Sequence, residues 1–338
     1  MQRSFSNAFA ATVVTASLLC APGLVCAQTT YTLTQVSGNI GDTSVTGIND
    51  EGDLVLTVNN GPTVNTYLWR RGTQTNIGGL APSPEFVESG GLNDLVQIVG
   101  STISPTSGNF CGFLWQQGHM TELPSPAGSQ VVFGIQINLL GQIVGVSYDA
   151  NFNGHAVVWT RGNPTVLPGM PGSDFAQPVG INIRGEITGY ANDATNTPNT
   201  VLWKQGALTV LVPNSVPSAI NDAGQIVGTT RTTLSLPFLW QNGVTTTLPP
   251  LPGLSPYGAA QSINDLGQIV GTSSNFPVLW QNGTAVNLNN QIAPTDPLQP
   301  YVHLQNATLI NNLGQIVATG TDSRNPALPQ WYVLTPTR

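Results

Sequence analysis

The sequence predicts an all-β, seven-bladed β-propeller. Three observations predict it: a nine-residue motif that recurs seven times, one tryptophan in step with each copy, and a composition suited to short strands. Only 7% of the 338 residues are charged, against roughly 25% in an ordinary soluble chain. Gly (37) and Pro (26) are abundant. Surface helices draw on Glu, Lys and Arg, which are scarce here. The chain therefore reads as many short strands joined by turns.

The motif is clearest as "INDAGQIVG" at 220–228 and "INDLGQIVG" at 263–271. Weaker copies are "GINDEGDLVLT" from Gly47, "GLNDLVQIVG" from Gly91, "INLLGQIVG" from Ile137, "INIRGEITG" from Ile181 and "INNLGQIVA" from Ile310. Their asparagines are Asn49, Asn93, Asn138, Asn182, Asn221, Asn264 and Asn311, spaced 39 to 47 residues apart. A second element is an apolar stretch ending in tryptophan, usually with Gly three residues later, as in "YLWRRG" and "VLWQNG". It places Trp69, Trp115, Trp159, Trp203, Trp240, Trp280 and Trp331, one per repeat. A third is a Leu-Pro segment such as "TELPSPAG" or "TTTLPPLPG". A period in this range is that of a propeller blade.

Each unit divides into four strands: a ("TTTLPPL"), b ("AAQSI"), c ("QIVG") and d ("PVLW"). Between b and c stands Asn-Asp-x-Gly. Its Asn bonds the turn backbone, and its Gly takes positive φ, as in a type I turn with a glycine bulge. Between d and a, Asn-Gly is a strong hairpin signal. So b pairs with c and d with a. The first strand, "YTLTQV" (31–36), is of type a, and the last, "QWYVL" (330–334), is of type d. Pairing them closes the ring and removes exposed sheet edges. Alternation along the meander puts the tight b–c and d–a turns on one face and the variable a–b and c–d loops on the other. Binding usually resides on such loops.

"INDxGQIVG" with an apolar stretch ending in Leu-Trp resembles the HAF family of extracellular repeats. The likeness runs from about residue 31 to 338 and includes the ending "WYVLTP". The family pattern has His-Ala-Phe before Leu-Trp, and here only the repeat His155-Ala156-Val157-Val158-Trp159 keeps the histidine. "CGFLW", "LPFLW" and "FPVLW" lack it, so the histidine is not a catalytic requirement of each repeat. The resemblance implies a bacterial, exported protein with a propeller-like fold.

Residues 1–27 read as a secretory signal: Arg3, an apolar run, and Val25-Cys26-Ala27 at the cut. The mature chain, 28–338, is then one domain of seven repeats, secreted or periplasmic. Cleavage removes Cys20 and Cys26 and leaves Cys111 alone, so no intrachain disulfide is expected. Loss of Arg3 takes the net charge from −7 to −8. No basic patch exists, which argues against nucleic acid. No later segment is apolar for the roughly 18 residues a membrane span needs.

The seven tryptophans read as blade packing rather than sugar platforms. Asp50, Asp94, Asp222 and Asp265 in the b–c turns read as turn caps, because equivalent positions in a ring are expected to lie far apart. Calcium wants six to eight oxygens. His119, His155 and His303 show no zinc spacing. No Gly-x-Ser-x-Gly elbow or GxGxxG is present. Neither metal nor cofactor is expected. Cys111 reads as a small, partly buried residue.

The variable face carries Glu85, Glu88, Asp149, Asp174, Asp193 and Asp296, interleaved with Phe86, Phe110, Tyr148, Phe152, Phe175, Tyr190, Tyr257 and Tyr301. From these, Asp149, His155, Asp174, Phe175, Tyr257 and Tyr301 are the candidate ligand-binding residues. The reading is a monomeric binding scaffold for an extracellular polysaccharide or protein. The alternative is a glycan-cleaving hydrolase or lyase using two loop carboxylates.

Overall fold

The computed structural model describes residues 29–36, 42–81 and 86–337. The signal at 1–27 lies outside them. Strand β1 (Tyr31–Gln35) comes first in the chain and belongs to the last blade. Blade 1 is β2 (Asp42–Ile48), β3 (Leu54–Asn59), β4 (Val64–Arg70) and β5 (Thr73–Asn76). Blade 2 is β6 (Val87–Leu92), β7 (Ile98–Ile103), β8 (Phe110–Gln116) and β9 (His119–Glu122). Blade 3 is β10 (Val131–Ile137), β11 (Ile143–Tyr148), β12 (Gly154–Thr160) and β13 (Asn163–Val166). Blade 4 is β14 (Ala176–Ile181), β15 (Ile187–Asn192), β16 (Pro198–Lys204) and β17 (Ala207–Val212). Blade 5 is β18 (Ser215–Ile220), β19 (Ile226–Thr230), β20 (Pro237–Gln241) and β21 (Val244–Thr247). Blade 6 is β22 (Gly258–Ile263), β23 (Ile269–Ser273), β24 (Phe276–Gln281) and β25 (Thr284–Asn287). Blade 7 is β26 (Val302–Ile310), β27 (Ile316–Asp322), β28 (Asn325–Pro336) and β1.

Every sheet is an antiparallel meander in the expected order b-c-d-a. Strand c is buried on both faces by the neighbouring blades. Ile98, Val99, Ile226, Val227, Ile316 and Val317 are all fully buried. That explains why "QIVG" is continuously apolar rather than alternating. Burying each such side chain contributes about 1.5–3 kcal/mol. Strand b carries a bulge in each blade, as between Gly134 and Gln136. The strand-c glycine faces it: a Cβ on Gly145 would stand 2.0 Å from the Phe133 carbonyl oxygen. The d–a turns take positive φ at both central residues, as at Asn242 (51°) and Gly243 (84°). This is the type I′ geometry that Asn-Gly favours.

The tryptophans pack between blades. Trp159, Trp203 and Trp280 are buried. Their indole N–H groups donate to the carbonyls of Pro124 (2.8 Å), Pro168 (2.7 Å) and Pro249 (2.7 Å), each in the Leu-Pro segment of the preceding blade. The second and third sequence elements are thus two halves of one inter-blade contact.

Strand β1 closes the ring as the sequence implies. Tyr31 pairs with Pro336 and Gln35 with Tyr332. The Val36 N–H donates to the Trp331 carbonyl at 2.9 Å. Asp296 was counted among the loop carboxylates of the variable face, but it is buried: Oδ2 accepts the Leu33 N–H of β1 at 2.7 Å, and Oδ1 accepts the Leu298 N–H at 2.8 Å. It is a clamp on the closing strand.

The motif asparagine joins blades as well as making its own turn. In Asn264, Oδ1 accepts the N–H groups of Leu266 (3.2 Å) and Gln268 (2.9 Å). Nδ2 donates to Gln268 Oε1 (2.8 Å) and to the Asn311 carbonyl of the next blade (3.0 Å). The same amide-to-next-carbonyl bond links Asn93 to Asn138, Asn138 to Asn182, Asn182 to Asn221, Asn221 to Asn264, and Asn311 to Asn49. The last of these crosses from blade 7 to blade 1.

Deleting residues 28–36 lowers the melting temperature, and Asp296→Ala reproduces part of the loss, about 1–3 kcal/mol for orphaned buried donors. An unchanged melting curve for the deletion refutes the closure. Asn264→Ala strands several buried groups and costs about 2–4 kcal/mol in urea unfolding. A cost below about 0.5 kcal/mol, typical of an exposed surface site, contradicts the inter-blade role.

Candidate functional site

The two ends of the wheel differ in chemistry. At the turn face, the inner strand of each blade delivers its b–c turn to the axis. The seven turns rim one cavity of about 400 Å³. The sequence-based expectation that the turn aspartates lie far apart is therefore wrong. It overlooked that b is the innermost strand. Asp50, Asp94, Asp222 and Asp265 all line this cavity.

Nor do these aspartates cap their own turns. Oδ1 of each accepts an N–H from the turn of the preceding blade: Asp50 to Asp94 at 2.8 Å, Ile183 to Asp222 at 2.8 Å, and Asp222 to Asp265 at 2.8 Å. Asn312 takes the Asp265 N–H at 2.9 Å, and Asp50 takes that of Asn312 at 2.8 Å. Blades 3 and 4 place Leu139 and Ile183 at this position, which carry no acceptor. Partial burial raises the Asp94 pKa, and the nearby charges of Asp50, Glu51 and Asp265 add to the rise against the Asp50 N–H bond. Among the described residues, no group of three His, Cys, Asp or Glu side chains is placed to hold a metal ion.

The position four residues after the motif asparagine is usually Gln, and its side chain receives the asparagine amide. In two blades it is a carboxylate, Asp53 or Glu186. There the residue after the tryptophan is basic. Arg70 reaches Asp53 at 2.6 Å, and Lys204 reaches Glu186 at 2.8 Å. Blades 2 and 6 put glutamine opposite glutamine, where Gln97 donates to Gln116 at 2.9 Å and Gln268 to Gln281 at 3.2 Å. Several of the chain's few cations are thus committed to structural pairs.

The loop face is built from the opposite ends of the same strands. Six aromatic rings form a continuous arc across blades 2, 3 and 4. Ring centroids are 5.0 Å apart for Phe86–Phe110, 5.8 Å for Phe110–Phe133 and 6.0 Å for Phe133–Tyr148. The arc continues at 6.4 Å for Tyr148–Phe175 and 5.6 Å for Phe175–Tyr190. Phe110 is 38% exposed and the others are half-buried. Gly154 makes room for the turn of the arc: a Cβ there would stand 2.7 Å from the Phe175 ring and 3.3 Å from Tyr148. Burial raises the phenol pKa of Tyr148 and Tyr190. Tyr190 also feels Tyr148, which adds to the rise, and Arg231, which opposes it.

The sequence-selected residues divide into groups. His155, Asp174 and Phe175 line a cavity of about 230 Å³ at the junction of blades 3 and 4. Asp149 lies beside it, its Oδ2 3.4 Å from His155 Nε2. Burial alone would raise the Asp149 pKa. The N–H groups of Asn153 and Asn151, with the Asn153 and His155 side chains, outweigh it and hold the carboxyl below its usual range. Tyr257 is elsewhere, in blade 6, where its hydroxyl accepts from Asn275 Nδ2 at 3.0 Å. Tyr301 precedes blade 7, under the Arg324 guanidinium at 4.4 Å. Phe152 is 81% exposed and outside the arc. Glu85 lies outside the described residues. Phe133 was missed because it sits on a strand. The signal was present: aligned repeats put Ser44, Glu88, Gln177, Val216 and Ala259 there, with no other aromatic. Burial, with the Glu122 charge, pushes the Cys111 thiol up to about 12, so it is no thiolate at neutral pH.

No family model matches the chain, and no curated protein matches it. Among solved structures it is similar to the β-propeller domain of the trilobed protease from Pyrococcus furiosus, at 8% identity and TM-score 0.54, over 90% of this chain and 93% of that one. The chain is a β-propeller. That neighbour is described as having an open velcro topology, whereas here β1 closes the ring. The propeller is also similar to an acylaminoacyl peptidase from Pyrococcus horikoshii, at 10% identity and TM-score 0.53, over 90% of this chain and 52% of that one. A prolyl endopeptidase matches at 8% identity and TM-score 0.52, over 91% and 50%. The chain thus spans about half the length of either peptidase. At such identities the likeness carries the fold alone.

Burial by itself would raise the Glu186 pKa, but Lys204, Asn182 and Arg184 overcome it and hold the carboxyl at about 2. A depressed carboxyl stabilises the fold above its unfolded pKa of about 4.5, and that contribution fades as pH falls towards 2. Glu186→Gln is accordingly less stable than the parent at pH 7, and the gap narrows through pH 4 to 2.5. Urea unfolding at each pH checks this; a gap independent of pH contradicts it.

Proposed function

We propose that this chain is an exported, monomeric, non-catalytic scaffold that binds polysaccharide on its variable-loop face. It is a member of the HAF-repeat group by its seven copies of the motif. The observation that carries the reading is the six-ring arc from Phe86 to Tyr190. Aromatic faces stack on the apolar faces of sugar rings, and a curved row of them fits a chain of sugars better than one small molecule. Asp149, His155 and Asp174 stand beside the arc and supply hydrogen-bonding partners for hydroxyls.

The loop carboxylates suit binding better than acid–base work. Asp296 is buried as a clamp on β1. Asp149 and Asp193 each accept two backbone N–H bonds within their own loops. The Thr195 hydroxyl, then the N–H groups of Thr197 and Thr195, hold the Asp193 pKa low. A general acid needs the opposite shift.

Glycan-array binding, paired with turnover assays on every bound glycan, tests the proposal. Binding without turnover is expected. Phe110→Ala and Tyr148→Ala each weaken binding by about tenfold or more, the loss of one aromatic contact, with folding checked by circular dichroism. A featureless array, full binding by both variants, or turnover abolished in Asp149→Asn overturns it.

A further inference from the structure

Where the aromatic arc ends at Tyr190, the loop face of blade 5 opens into a cavity of about 540 Å³. Its lining is Arg231 with the hydroxyl-bearing Ser218, Thr229, Thr230, Thr232 and Ser235, and one apolar residue, Val216. No carboxylate lines it.

The state of Arg231 sharpens the contrast. Arg70, Arg71, Arg161, Arg184 and Lys204 stand at or beside the tight turns of the opposite face. On the loop face, Arg324 is bound by both oxygens of Asp322, at 2.9 and 2.5 Å. Arg231 is exposed, and its guanidinium forms no ion pair among the described residues. Its backbone is fixed, because its N–H donates to the Asn214 carbonyl at 2.7 Å. The cavity is therefore a fixed backbone, a planar five-donor cation and a wall of hydroxyls. A guanidinium with free donors matches a carboxylate or sulfate in two-point geometry. The hydroxyls can serve the neighbouring sugar oxygens.

Resting on the polysaccharide reading above, we infer that the Arg231 cavity holds the anionic substituent of an acidic sugar unit whose neighbours lie along the aromatic arc. The cavity occupies the blade next to Tyr190, so one extended ligand reaches both. The arc grips ring faces without regard to charge, and Arg231 selects for the anion. The protein's net charge of −7 repels polyanions at long range. Selection therefore comes from this one local contact.

Calorimetric titration of the whole secreted chain with four probes tests the inference: polygalacturonate, the same polymer fully methyl-esterified, a sulfated galactan and its neutral parent galactan. One of the two anionic probes binds at least tenfold more tightly than its neutral counterpart, and which of them does so separates carboxylate from sulfate. Arg231→Gln removes that preference and leaves neutral-polymer affinity and melting temperature unchanged. Phe110→Ala weakens charged and neutral polymers alike. If the neutral probes bind as tightly as the anionic ones, or Arg231→Gln keeps the preference, the inference fails while the arc reading stands. If no probe and no array glycan binds, both fail.

Discussion

One carboxamide per blade holds this wheel together. The motif asparagine has two acceptor lone pairs and two N–H donors, and in six of the seven blades the fold uses both donors. The oxygen ties the b–c turn to itself. One hydrogen of Nδ2 fixes the side chain four residues on, and the other reaches the next blade. A four-stranded blade cannot bury its own faces, so it gains stability only from its neighbours. A directional bond at six of the seven junctions sets the spacing and tilt at which strand c meets the next blade. The residue after the asparagine accepts a further inter-blade bond at five junctions, an aspartate at four of them and Asn312 at the fifth. At the junction of blades 1 and 2, where no amide-to-carbonyl bond forms, Asp50 and Asp94 provide this contact, and Thr46 meets Ser89 at 2.6 Å.

This division of labour explains the distribution of sequence change. The turn face repeats because each copy must match the next around the axis. The loop face is released from that demand, and there the blades diverge. Blades 2 to 4 gain aromatic rings, and blade 5 gains an unpaired arginine among hydroxyls. Charge follows the same logic. Where the motif swaps Gln for Asp53 or Glu186, a cation appears opposite, because a buried carboxylate is tolerated only when paired.

Much of the fold was legible because it rests on period and turn chemistry. The b–c–d–a order, the Asn-Gly hairpins, the tryptophan packing and the closing strand all follow from spacing and turn residues. What the spacing could not show is which strand lies innermost. That gap sent Asp50, Asp94, Asp222 and Asp265 to separate places when they share one cavity. It also hid the use of the asparagine amide, since a bond between repeats leaves no mark within one copy. The loop face was located by strand order, but strand order does not say which of its residues meet. His155, Asp174 and Phe175 converge, Tyr257 and Tyr301 do not, and Asp296 belongs to the closure. Phe133 and Arg231 were visible only by comparing repeats position by position, where each departs from its counterparts.

Native-state hydrogen exchange measures the central constraint most directly. The N–H groups of Gln97, Gln142, Gln225, Gln268 and Gln315 each donate to their motif asparagine, at 2.8 to 3.0 Å. If the amide ring locks the blades into one cooperative unit, these five exchange at a common rate set by global unfolding, and Asn264→Ala accelerates all of them together. Blade-by-blade rates, with only Gln268 accelerated, would show that the wheel is a row of independent modules.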